Sequence, residues 1–598
     1  MAASLACTSS ENRPNNTGGT TGQNGGTTGS NGGTTGQNGG TTGSTGGTTG
    51  DTGGTTGSTG GTTGSTGGTT GQTGGTTGST GGTTGAGGSG GKGGTTGGGG
   101  GVAAGGSLGT GGAVVVNPGT CGKLQPVPTS QSVLTRGNNP QRTAHFIQPS
   151  LTTASVKAKF GADTTFNAAA KFTGGLEGVP LFVAGATAGT GTFIVAGNSG
   201  TVTAIDETAG TTKWSRNLGG NIKSTPVIDP ATSTLYVAQR TSTGGDHYEL
   251  HAMNLASMGA ELTGWPVNLS TIKSNNNDTV GGFDPGKEIQ RGALSFVNGV
   301  VYVPFGGVYG DGPPYKGFVA AVSASNPSTT GGWSASGDRS GLWQSGGLAS
   351  DGTSMFASTA NGGDGTHMDS EEVIRISGMG TSSHANKDVF FPSNWKTWDG
   401  QDNDLGSSSP MVLQFSGGTC QSLVVAPSKP GHLFFLDPAN LGGNTPLRDL
   451  AVGNASAGGE YKVFYAAPTG YISTSGVHVA LEARLDAQCP GGGGGDSLVG
   501  IKVDMTTTPP TPTVQWCAAV AGGEDRHHPI STTTDGVQNA IVWFVVGGGL
   551  KGFDGETGAS VFSGPGCGNI QKQTAPIAAD GHVIVGADGK LCSYSVQP

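Results

Sequence analysis

The sequence has no long apolar run and little charge, and each absence excludes a class of protein. No stretch approaches the roughly 18 consecutive apolar residues that a membrane-spanning helix requires. Lysine and arginine number 29 against 38 aspartate and glutamate residues, which gives a net charge of -9. No basic surface is therefore expected that could neutralise a phosphate backbone, and we expect neither a nucleic-acid partner nor a transmembrane helix.

Aromatic residues are absent from residues 17–112, which consist almost wholly of Gly, Thr, Ser, Gln and Asn. Asp51 and Lys92 are the only charged residues in this stretch. Such a segment offers too little apolar surface to offset the entropy lost on ordering. The sequence therefore predicts a disordered Gly/Thr-rich tether over 17–112 and a globular part over 113–598, which holds every Trp, Tyr and Phe.

The first residues, MAASLACTSS, resemble the end of a bacterial lipoprotein signal, in which a small residue precedes a cysteine that becomes lipid-modified. The basic start and the apolar stretch of such a signal are missing before Cys7. Either the reading frame begins further upstream, which we favour, or the match is chance. We interpret 1–16 as the remnant of a signal and anchor region, with Cys7 as the lipid anchor and the only membrane attachment.

The six other cysteines include no CxxC pair and no zinc-like grouping with histidine. Three disulfides in an oxidising compartment fit this pattern, and six buried free thiols in a cytosolic protein are the alternative. Among the fifteen possible pairings, we favour Cys567 with Cys592, because these residues bracket one strand-turn-strand unit.

Beyond residue 150, short β-rich segments alternate with Gly, Asn, Asp and Pro turns, which indicates an all-β fold. An opening strand with small polar residues at its head recurs at intervals of roughly 45 to 65 residues, the size of a four-stranded propeller blade. We predict an eight-bladed β-propeller of four-stranded antiparallel blades, with seven blades as the alternative. Residues 156–166 are expected to supply the outer strand that the last blade lacks. The eight opening strands are predicted at 177–185, 222–229, 289–299, 342–352, 405–414, 471–481, 527–536 and 570–581.

Two segments, AIDETAGTTKW (204–214) and GFDGETGASVF (552–562), carry a family resemblance. They are similar to the repeat of pyrroloquinoline-quinone-like (PQQ-like) β-propellers, whose bacterial members include extracytoplasmic proteins. Asp206 and Asp554 can bond N–H groups of their own turns, and Gly210 and Gly558 can supply a positive φ. Trp214 can pack its large face against the neighbouring blade. These are structural roles.

The resemblance also implies a site. Quinoprotein dehydrogenases of this fold bind the quinone above the central channel. They coordinate Ca²⁺ through carboxylate and amide oxygens, and they carry a disulfide between adjacent cysteines. This sequence has no adjacent cysteine pair, and no Glu, Asn and Asp set aligns with theirs. We therefore expect no cofactor, with PQQ and Ca²⁺ as the alternative.

Two polar clusters could act as ligand groups. Asp402 and Asp404, in DGQDNDLGSSSP, could offer oxygen atoms to Ca²⁺, although a solvated turn is the interpretation we favour. His527 and His528, in EDRHHPIS, follow Glu524 and Asp525. Adjacent side chains on a strand point to opposite faces, so we expect these to be surface histidines without a shared metal.

The heads of the opening strands form the third candidate site. If these strands line the channel, their heads surround one mouth, where convergent donors would suit an anionic or hydroxyl-rich ligand. A water-filled channel with polar walls is the alternative, and it is the interpretation we favour. The predicted mouth residues are Lys223, Gln290, Arg291, Gln344, Ser345, Ser408, His528, Lys572 and Gln573, with Ser224, Ser407 and Ser473 beside them.

These observations favour a non-catalytic, extracytoplasmic propeller, a monomeric cell-envelope lipoprotein or secreted protein that serves as a scaffold for a protein or polysaccharide partner. A PQQ- and Ca²⁺-dependent dehydrogenase of alcohols or sugars is the alternative. A carbohydrate-active propeller is a third hypothesis, in which Asp404 would act with Glu288 or Glu524.

Overall fold

A computed structural model describes residues 121–598 except 277–282, 309–311, 313, 364, 366, 368, 418, 454–463, 485–486, 493–494 and 521–525. The predicted tether at 17–112, the expected lipid anchor Cys7, and Glu524 and Asp525 lie outside the described residues. None of the helices that are described is long and apolar enough to cross a bilayer.

Eight antiparallel sheets follow one another along the chain, which confirms the predicted eight-bladed β-propeller. Two strands precede them, β1 (His145–Ile147) and β2 (Phe160–Ala162). Blade 1 consists of β3 (Leu181–Val183), β4 (Thr192–Gly197), β5 (Thr201–Asp206) and β6 (Thr212–Asn217). Blade 2 consists of β7 (Val227–Asp229), β8 (Thr234–Thr241), β9 (His247–Asn254), β10 (Ala260–Glu261) and β11 (Val267–Asn268). Blade 3 consists of β12 (Glu288–Gln290), β13 (Ser295–Val297), β14 (Val300–Gly307), β15 (Phe318–Ser323) and β16 (Thr330–Ser334).

Blades 4 to 8 repeat this pattern. Blade 4 consists of β17 (Ala349–Ser350), β18 (Ser354–Ser358), β19 (Val373–Ser377) and β20 (Val389–Phe390). Blade 5 consists of β21 (Met411–Leu413), β22 (Leu423–Pro427), β23 (His432–Leu436) and β24 (Arg448–Ala451). Blade 6 consists of β25 (Thr469–Ser473), β26 (Gly476–Ala483), β27 (Ser497–Asp504) and β28 (Thr511–Ala519). Blade 7 consists of β29 (Ile530–Thr533), β30 (Ile541–Val546), β31 (Gly549–Asp554) and β32 (Ser560–Gly566). Blade 8 begins with β33 (Ile577–Ala579), β34 (His582–Ala587) and β35 (Lys590–Val596).

The ring closes with a strand from before blade 1. Phe160–Ala162 pairs antiparallel with β35 and completes blade 8, as the sequence predicted for residues 156–166. Only three of those residues form the strand, because short helices flank it: α1 (Thr153–Lys159) and α2 (Thr164–Ala169). Thr152 caps α1 with a capping box, and the Asp163 carboxylate accepts from the N–H of Phe166 to cap α2. A third helix, α3 (Trp395–Gly400), and short 3₁₀ turns at Leu255–Ser257 and Leu269–Thr271 lie in later connections.

The hydrophobic core lies between successive blades. Blades 1 and 2, for example, bury Leu181, Ile194 and Ala204 against Ile228 and Leu235. Equivalent clusters join the other neighbouring blades, and the largest of them spans blades 7, 8 and 1 across the closure. Most residues of the inner and middle strands are therefore buried.

The repeat residues shape the turns between third and fourth strands. Asp206 Oδ1 accepts from the N–H groups of Thr208 and Ala209, at 3.1 and 2.8 Å. Asp554 Oδ1 accepts in the same way from Glu556 and Thr557, at 3.1 and 3.0 Å. Glycine follows each turn with a positive φ, 68° at Gly210 and 71° at Gly558.

Tryptophans of one blade pack over glycines of the next. A Cβ atom at Gly259 of blade 2 would lie 2.7 Å from the Trp214 ring of blade 1. A Cβ atom at Gly558 of blade 7 would lie 2.6 Å from the Trp516 ring of blade 6. The indole of Trp516 also donates to the carbonyl of Gly555, at 3.0 Å. Glycine at these positions lets the large aromatic face contact the neighbouring backbone.

The N-terminal part of the described chain fills the centre of the ring, which the sequence did not indicate. We call residues 133–148 the axial segment. Its strand β1 lies parallel to β29, inside blade 7. Backbone bonds then join it to the inner strands of blades 1, 2, 4, 5, 6 and 7. They pair Val133 with Phe182, Leu134 with Ile228, Pro140 with Ser350, Gln141 with Val412, Thr143 with Gly470 and Ala144 with Ser531, at 2.7 to 2.9 Å.

Side chains of the axial segment reach the two remaining blades. Arg142 Nη2 donates to the carbonyl of Leu294 at 2.9 Å and to Ser295 Oγ at 2.6 Å, both in blade 3. Gln148 Oε1 accepts from the N–H of Gly581 in blade 8, at 2.7 Å. Only a segment on the axis can contact all eight blades, so the chain plugs its own channel. At this depth the channel holds the chain's own backbone.

Three disulfides are present, as predicted, and Cys567 pairs with Cys592. The other pairs are Cys489 with Cys517 and Cys121 with Cys420. The Cys121–Cys420 bond joins positions 299 residues apart and attaches the chain ahead of the axial segment to blade 5.

The predicted opening strand at 471–481 is wrong in its boundaries. Ser473 pairs with Gly476 across a tight turn, so 471–481 spans the end of β25 and most of β26. The Ser-Thr-Ser-Gly sequence resembles a polar strand head but forms the hairpin turn. Ser473 Oγ contacts His478 Nε2 at 2.9 Å there, at the opposite end of the strand from the predicted mouth.

The packing of tryptophan on glycine predicts the effect of a single methyl group. Gly558→Ala should lower the free energy of unfolding by about 2–4 kcal/mol, because positive φ and overpacking against Trp516 both penalise a side chain. The matched control Gly547→Ala, at φ 57° with nothing within 4 Å of the added Cβ, should lose only about 1 kcal/mol. Equal losses in denaturant titrations of both variants would show that the packing contact contributes nothing.

Candidate functional site

The predicted mouth residues are mostly buried. Lys223 and Lys572 keep partial exposure, whereas the other seven lie inside the ring of strand heads. Ser224 and Ser407, predicted beside them, are buried as well. The mouth is therefore lined by side chains that are already packed against one another.

Arg136 of the axial segment brings three blades together at this ring. Its Nη2 lies 3.2 Å from His528 Nδ1 of blade 7 and 2.5 Å from the carbonyl of Gln573 of blade 8. His528 Nε2 in turn lies 3.1 Å from Ser345 Oγ, at the head of blade 4. Blades 4 and 7 are not neighbours, so this chain of contacts crosses the channel and closes it.

Three other mouth residues bond within their own blade or to a neighbouring one. Gln290 Nε2 donates to the carbonyl of Gly292 at 2.7 Å, and Ser408 Oγ donates to that of Phe464 at 2.9 Å. Lys223 Nζ pairs with Glu177 Oε1 at 2.7 Å. These side chains surround the axis without converging on one point.

The expectation of surface histidines at 527 and 528 is wrong. His527 is 1 % exposed and His528 is 3 % exposed, because the pair precedes β29 in the channel wall. Burial lowers the pKa of His527 to about 3, and the charge of Arg136 adds to the effect. Burial also holds the pKa of His528 well below its usual range, with contributions from Arg136, His527 and Arg291. Both imidazoles are therefore neutral at physiological pH.

Several buried polar atoms at the strand heads have no hydrogen-bond partner within the described chain. Buried polar groups in proteins are normally bonded to protein, to water or to a ligand. This end of the propeller thus retains hydrogen-bonding capacity that the protein does not use. The atoms are Glu177 Oε2, Ser224 Oγ, Glu288 Oε2, Gln344 Nε2, His527 Nδ1 and Gln573 Oε1.

The candidate calcium ligands hold an ammonium group instead. Lys429 Nζ lies 3.0 Å from Asp402 Oδ1 and contacts Asp404 Oδ2 more closely. Asp404 is 1 % exposed and also accepts from Ser407 Oγ at 2.8 Å, so the solvated turn expected here is wrong. The Lys429 side chain, fully buried, supplies the positive charge that a cation would otherwise provide.

A carboxylate and an amide that the sequence analysis did not identify lie beside Asp404. The N–H of Asn361 donates to Asp404 Oδ1 at 3.3 Å, and Glu371 Oε2 accepts from the N–H of Leu405 at 2.7 Å. Asn361 Oδ1 and Glu371 Oε1 are buried without a partner in the described chain. Burial raises the pKa of Glu371 well above its usual range, and the charge of Asp404 adds to the effect.

The oxygen atoms of Asn361, Glu371 and Asp404 match a Ca²⁺–quinone site only in part. Oxygen atoms with free lone pairs, as on Glu371 and Asn361, are the ligands that Ca²⁺ prefers. The disulfides, however, join cysteines at least 25 residues apart, so the adjacent pair of the quinoproteins has no counterpart. In the part of the chain that the structure describes, no group of three or more His, Cys, Asp or Glu side chains could hold a metal ion.

A cavity of about 460 Å³ opens at the other end of the ring, beside the axial segment. Residues 126–140 form one wall, and blades 2, 3 and 4 form the other. The walls are largely apolar, and Val127, a rim residue, is 39 % exposed. The apolar lining residues include Pro126, Pro128, Leu134, Val227, Ile228, Phe296 and Val297.

Comparison with known proteins identifies the fold. No protein-family model matches the sequence, and no curated protein matches it either. Among solved structures, the chain is similar to the quinohemoprotein alcohol dehydrogenase from Comamonas testosteroni, with a TM-score of 0.52 and 14 % identity over 78 % of this chain and 80 % of that one. It is also similar to the quinohemoprotein alcohol dehydrogenase ADHIIG from Pseudomonas putida HK5, with a TM-score of 0.52 and 12 % identity over 81 % of each chain.

BamB from Moraxella catarrhalis matches at a TM-score of 0.44 and 12 % identity, over 70 % of this chain and 96 % of that one. At such low identities the likeness concerns the fold. The chain has a PQQ-like, quinoprotein-like β-propeller fold, as the repeat residues predicted.

The buried Glu288 predicts a pH dependence of stability. Burial raises its pKa to about 8 in the folded protein, above the value of 4.5 expected when unfolded. Between these pH values Glu288 is ionised in the unfolded chain and protonated in the folded protein. The stability that comes from its protonated form is therefore complete below about pH 4.5 and is lost as the pH rises to about 8. Relative to Glu288→Gln, the wild type should lose about 3 kcal/mol of unfolding free energy between pH 5 and pH 8. Parallel curves for the two proteins in urea titrations would contradict the assignment.

Proposed function

We propose that the protein is a non-catalytic, extracytoplasmic propeller that binds a protein or carbohydrate partner on an end face. The observation that carries the proposal is the axial segment, which makes hydrogen bonds to all eight blades. A channel filled by the chain's own backbone gives a ligand no passage from one face to the other. Binding is then left to the faces of a rigid ring.

The cavity of about 460 Å³ supports one face as the partner site. Its volume lies within the range of roughly 300–1,000 Å³ that is typical of small-ligand pockets. Apolar walls formed by Leu134, Ile228 and Phe296 suit an apolar side chain of a partner or the flat face of a sugar. Asp229 and Asn298 lie in the lining and provide polar character beside them.

Three disulfides support an extracytoplasmic location, because such bonds persist in oxidising compartments. We propose that residues 17–112 tether the propeller and that Cys7 is its lipid anchor. Labelling of the expressed full-length precursor with a radioactive fatty acid, in wild type and in Cys7→Ser, would test the anchor.

The specific observation favouring a second candidate function is the group formed by Asn361, Glu371 and Asp404. In a quinoprotein dehydrogenase, Glu371 Oε1 and Asn361 Oδ1 would offer oxygen atoms to Ca²⁺, while Lys429 would hold Asp404 in place. PQQ, when bound, would supply the two-electron oxidation of an alcohol or a sugar.

An activity assay separates the two proposals. The purified propeller, incubated with PQQ and Ca²⁺ and assayed with an electron-accepting dye and a panel of alcohols and sugars, should show no turnover above free PQQ. Robust turnover in the wild type that Glu371→Gln abolishes would overturn the scaffold proposal in favour of the dehydrogenase.

A cross-linking experiment tests the partner face directly. A photoreactive amino acid at Val127 should form a discrete adduct in cells of the native host, because this side chain is at the cavity rim. The same amino acid at Met258, which is 58 % exposed and lies outside the cavity, is the matched control. Adducts that are identical at both positions, or that persist after Phe296→Arg, would contradict a partner site in the cavity.

A further inference from the structure

Two arginines lie fully inside the propeller, close to its axis. Arg136 is 4 % exposed and Arg142 is 2 % exposed, and both belong to the axial segment. A third, Arg291, comes from the head of blade 3 and is 7 % exposed. Burial, with the like charges of Arg142 and Arg291, lowers the pKa of Arg136 to about 9, and burial lowers that of Arg142 to about 9 as well. Both guanidinium groups remain charged at neutral pH.

The acceptors around these charges are neutral. Arg142 donates from Nε to the carbonyl of Leu348 at 2.9 Å, and from Nη1 to Thr135 Oγ1 at 2.7 Å and to the carbonyl of Arg136 at 2.5 Å. Its Nη2 donates to the carbonyl of Leu294 and to Ser295 Oγ. All five N–H groups of Arg142 thus donate hydrogen bonds to carbonyl or hydroxyl oxygen atoms.

Arg136 is less completely bonded. The hydrogen bonds described for it leave from Nη2 alone, toward His528 Nδ1 and the carbonyl of Gln573. Within the described ranges, no Asp or Glu pairs with Arg136 or Arg142. The neighbouring His527 and His528 are neutral, so they neither add to this charge nor balance it.

Burying the charges of Arg136 and Arg142 destabilises the folded protein unless a negative charge lies beside them. Buried charges in proteins are normally paired, since removing an ion from water costs several kcal/mol even after relaxation. The two guanidinium groups also repel each other across a medium that screens poorly. Among the residues that the structure describes, no negative charge is therefore paired with these two guanidinium groups.

A small cavity lies next to these groups. Its volume is about 20 Å³, and Arg136, Arg142 and His528 line it together with apolar residues such as Val179 and Ile530. A volume of roughly 10–15 Å³ suffices for one water molecule, so the space accepts one particle of that size. Gly346 and Ala467 complete this part of the lining, so the charged donors that face the cavity come from the two arginines.

We propose that this axial cavity is an anion site, in which Arg136, next to Arg142, holds one small anion. A halide ion is the ligand that the cavity size and the donors favour. The ion neutralises the arginines that fasten the axial segment to the blades, so it acts as an internal counter-ion of the plug. This site does not depend on the proposed scaffold function or on the partner face.

The test uses the intact protein transferred into sodium gluconate, whose anion is too large for the cavity. Sodium bromide or sodium acetate then replaces gluconate at constant ionic strength while thermal unfolding is recorded. Saturable stabilisation is expected, on the order of 2–4 °C at saturating anion. Stabilisation by bromide and not by acetate, whose four heavy atoms exceed the cavity, is the result expected for the site. Equal stabilisation by both anions would show a general salt effect and would contradict the proposal.

Arg136→Gln should lose this anion-dependent stabilisation, whereas the matched control Arg216→Gln, at an exposed arginine, should keep it. Because Arg136→Gln could fail to fold, anomalous diffraction from bromide-soaked wild-type crystals provides a direct reading, with a peak expected beside the Arg136 guanidinium. No peak on the axis together with unfolding that is indifferent to bromide and acetate would overturn the proposal. Bromide at exposed surface positions only, an adventitious ion only, would overturn it equally.

Discussion

The propeller depends on the axial segment, which satisfies the inner edges of its blades. In a closed ring of antiparallel sheets, each innermost strand presents N–H and C=O groups toward the channel, and buried groups of this kind must be paired. Residues 133–148 pair with inner strands around the ring. The chain adopts strained backbone to do so, with φ of 62° at Arg142 and 51° at Ala144. Such conformations persist only where the surroundings impose them.

The axial segment also makes the two ends of the ring different. At the strand-head end, buried atoms such as Glu288 Oε2 and Ser224 Oγ have no partner in the described chain, and the group around Asp404 and Lys429 is charged. At the other end, residues 126–140 and blades 2 to 4 enclose a larger, mostly apolar cavity. The proposed cofactor site and the proposed partner site thus lie at opposite ends of the ring, which allows the scaffold and dehydrogenase hypotheses to be tested independently.

The repeated features of the fold could be predicted from the sequence, because each blade carries its own signal. Opening strands, the Asp206 and Asp554 turns, the Cys567–Cys592 bond and the closing strand at 160–162 all follow from local patterns or from counting strands. The axial segment could not be predicted, because residues 133–148 resemble no blade and their partners lie up to 437 residues away. Arg136, Arg142 and Lys429 were missed for a related reason: a buried cation has no sequence pattern that separates it from a surface one.

Hydrogen–deuterium exchange of the native protein tests the central claim, that residues 133–148 are an integral part of the ring. The amides of Val133 and Gln148, and those of Phe182, Ile228, Ser350, Val412, Gly470 and Ser531, which bond to the segment, should exchange only through global unfolding. Their protection should equal that of the middle strands. Fast exchange along 133–148 and at these six amides, while the middle strands stay protected, would show that the segment is a detachable plug and would contradict this account.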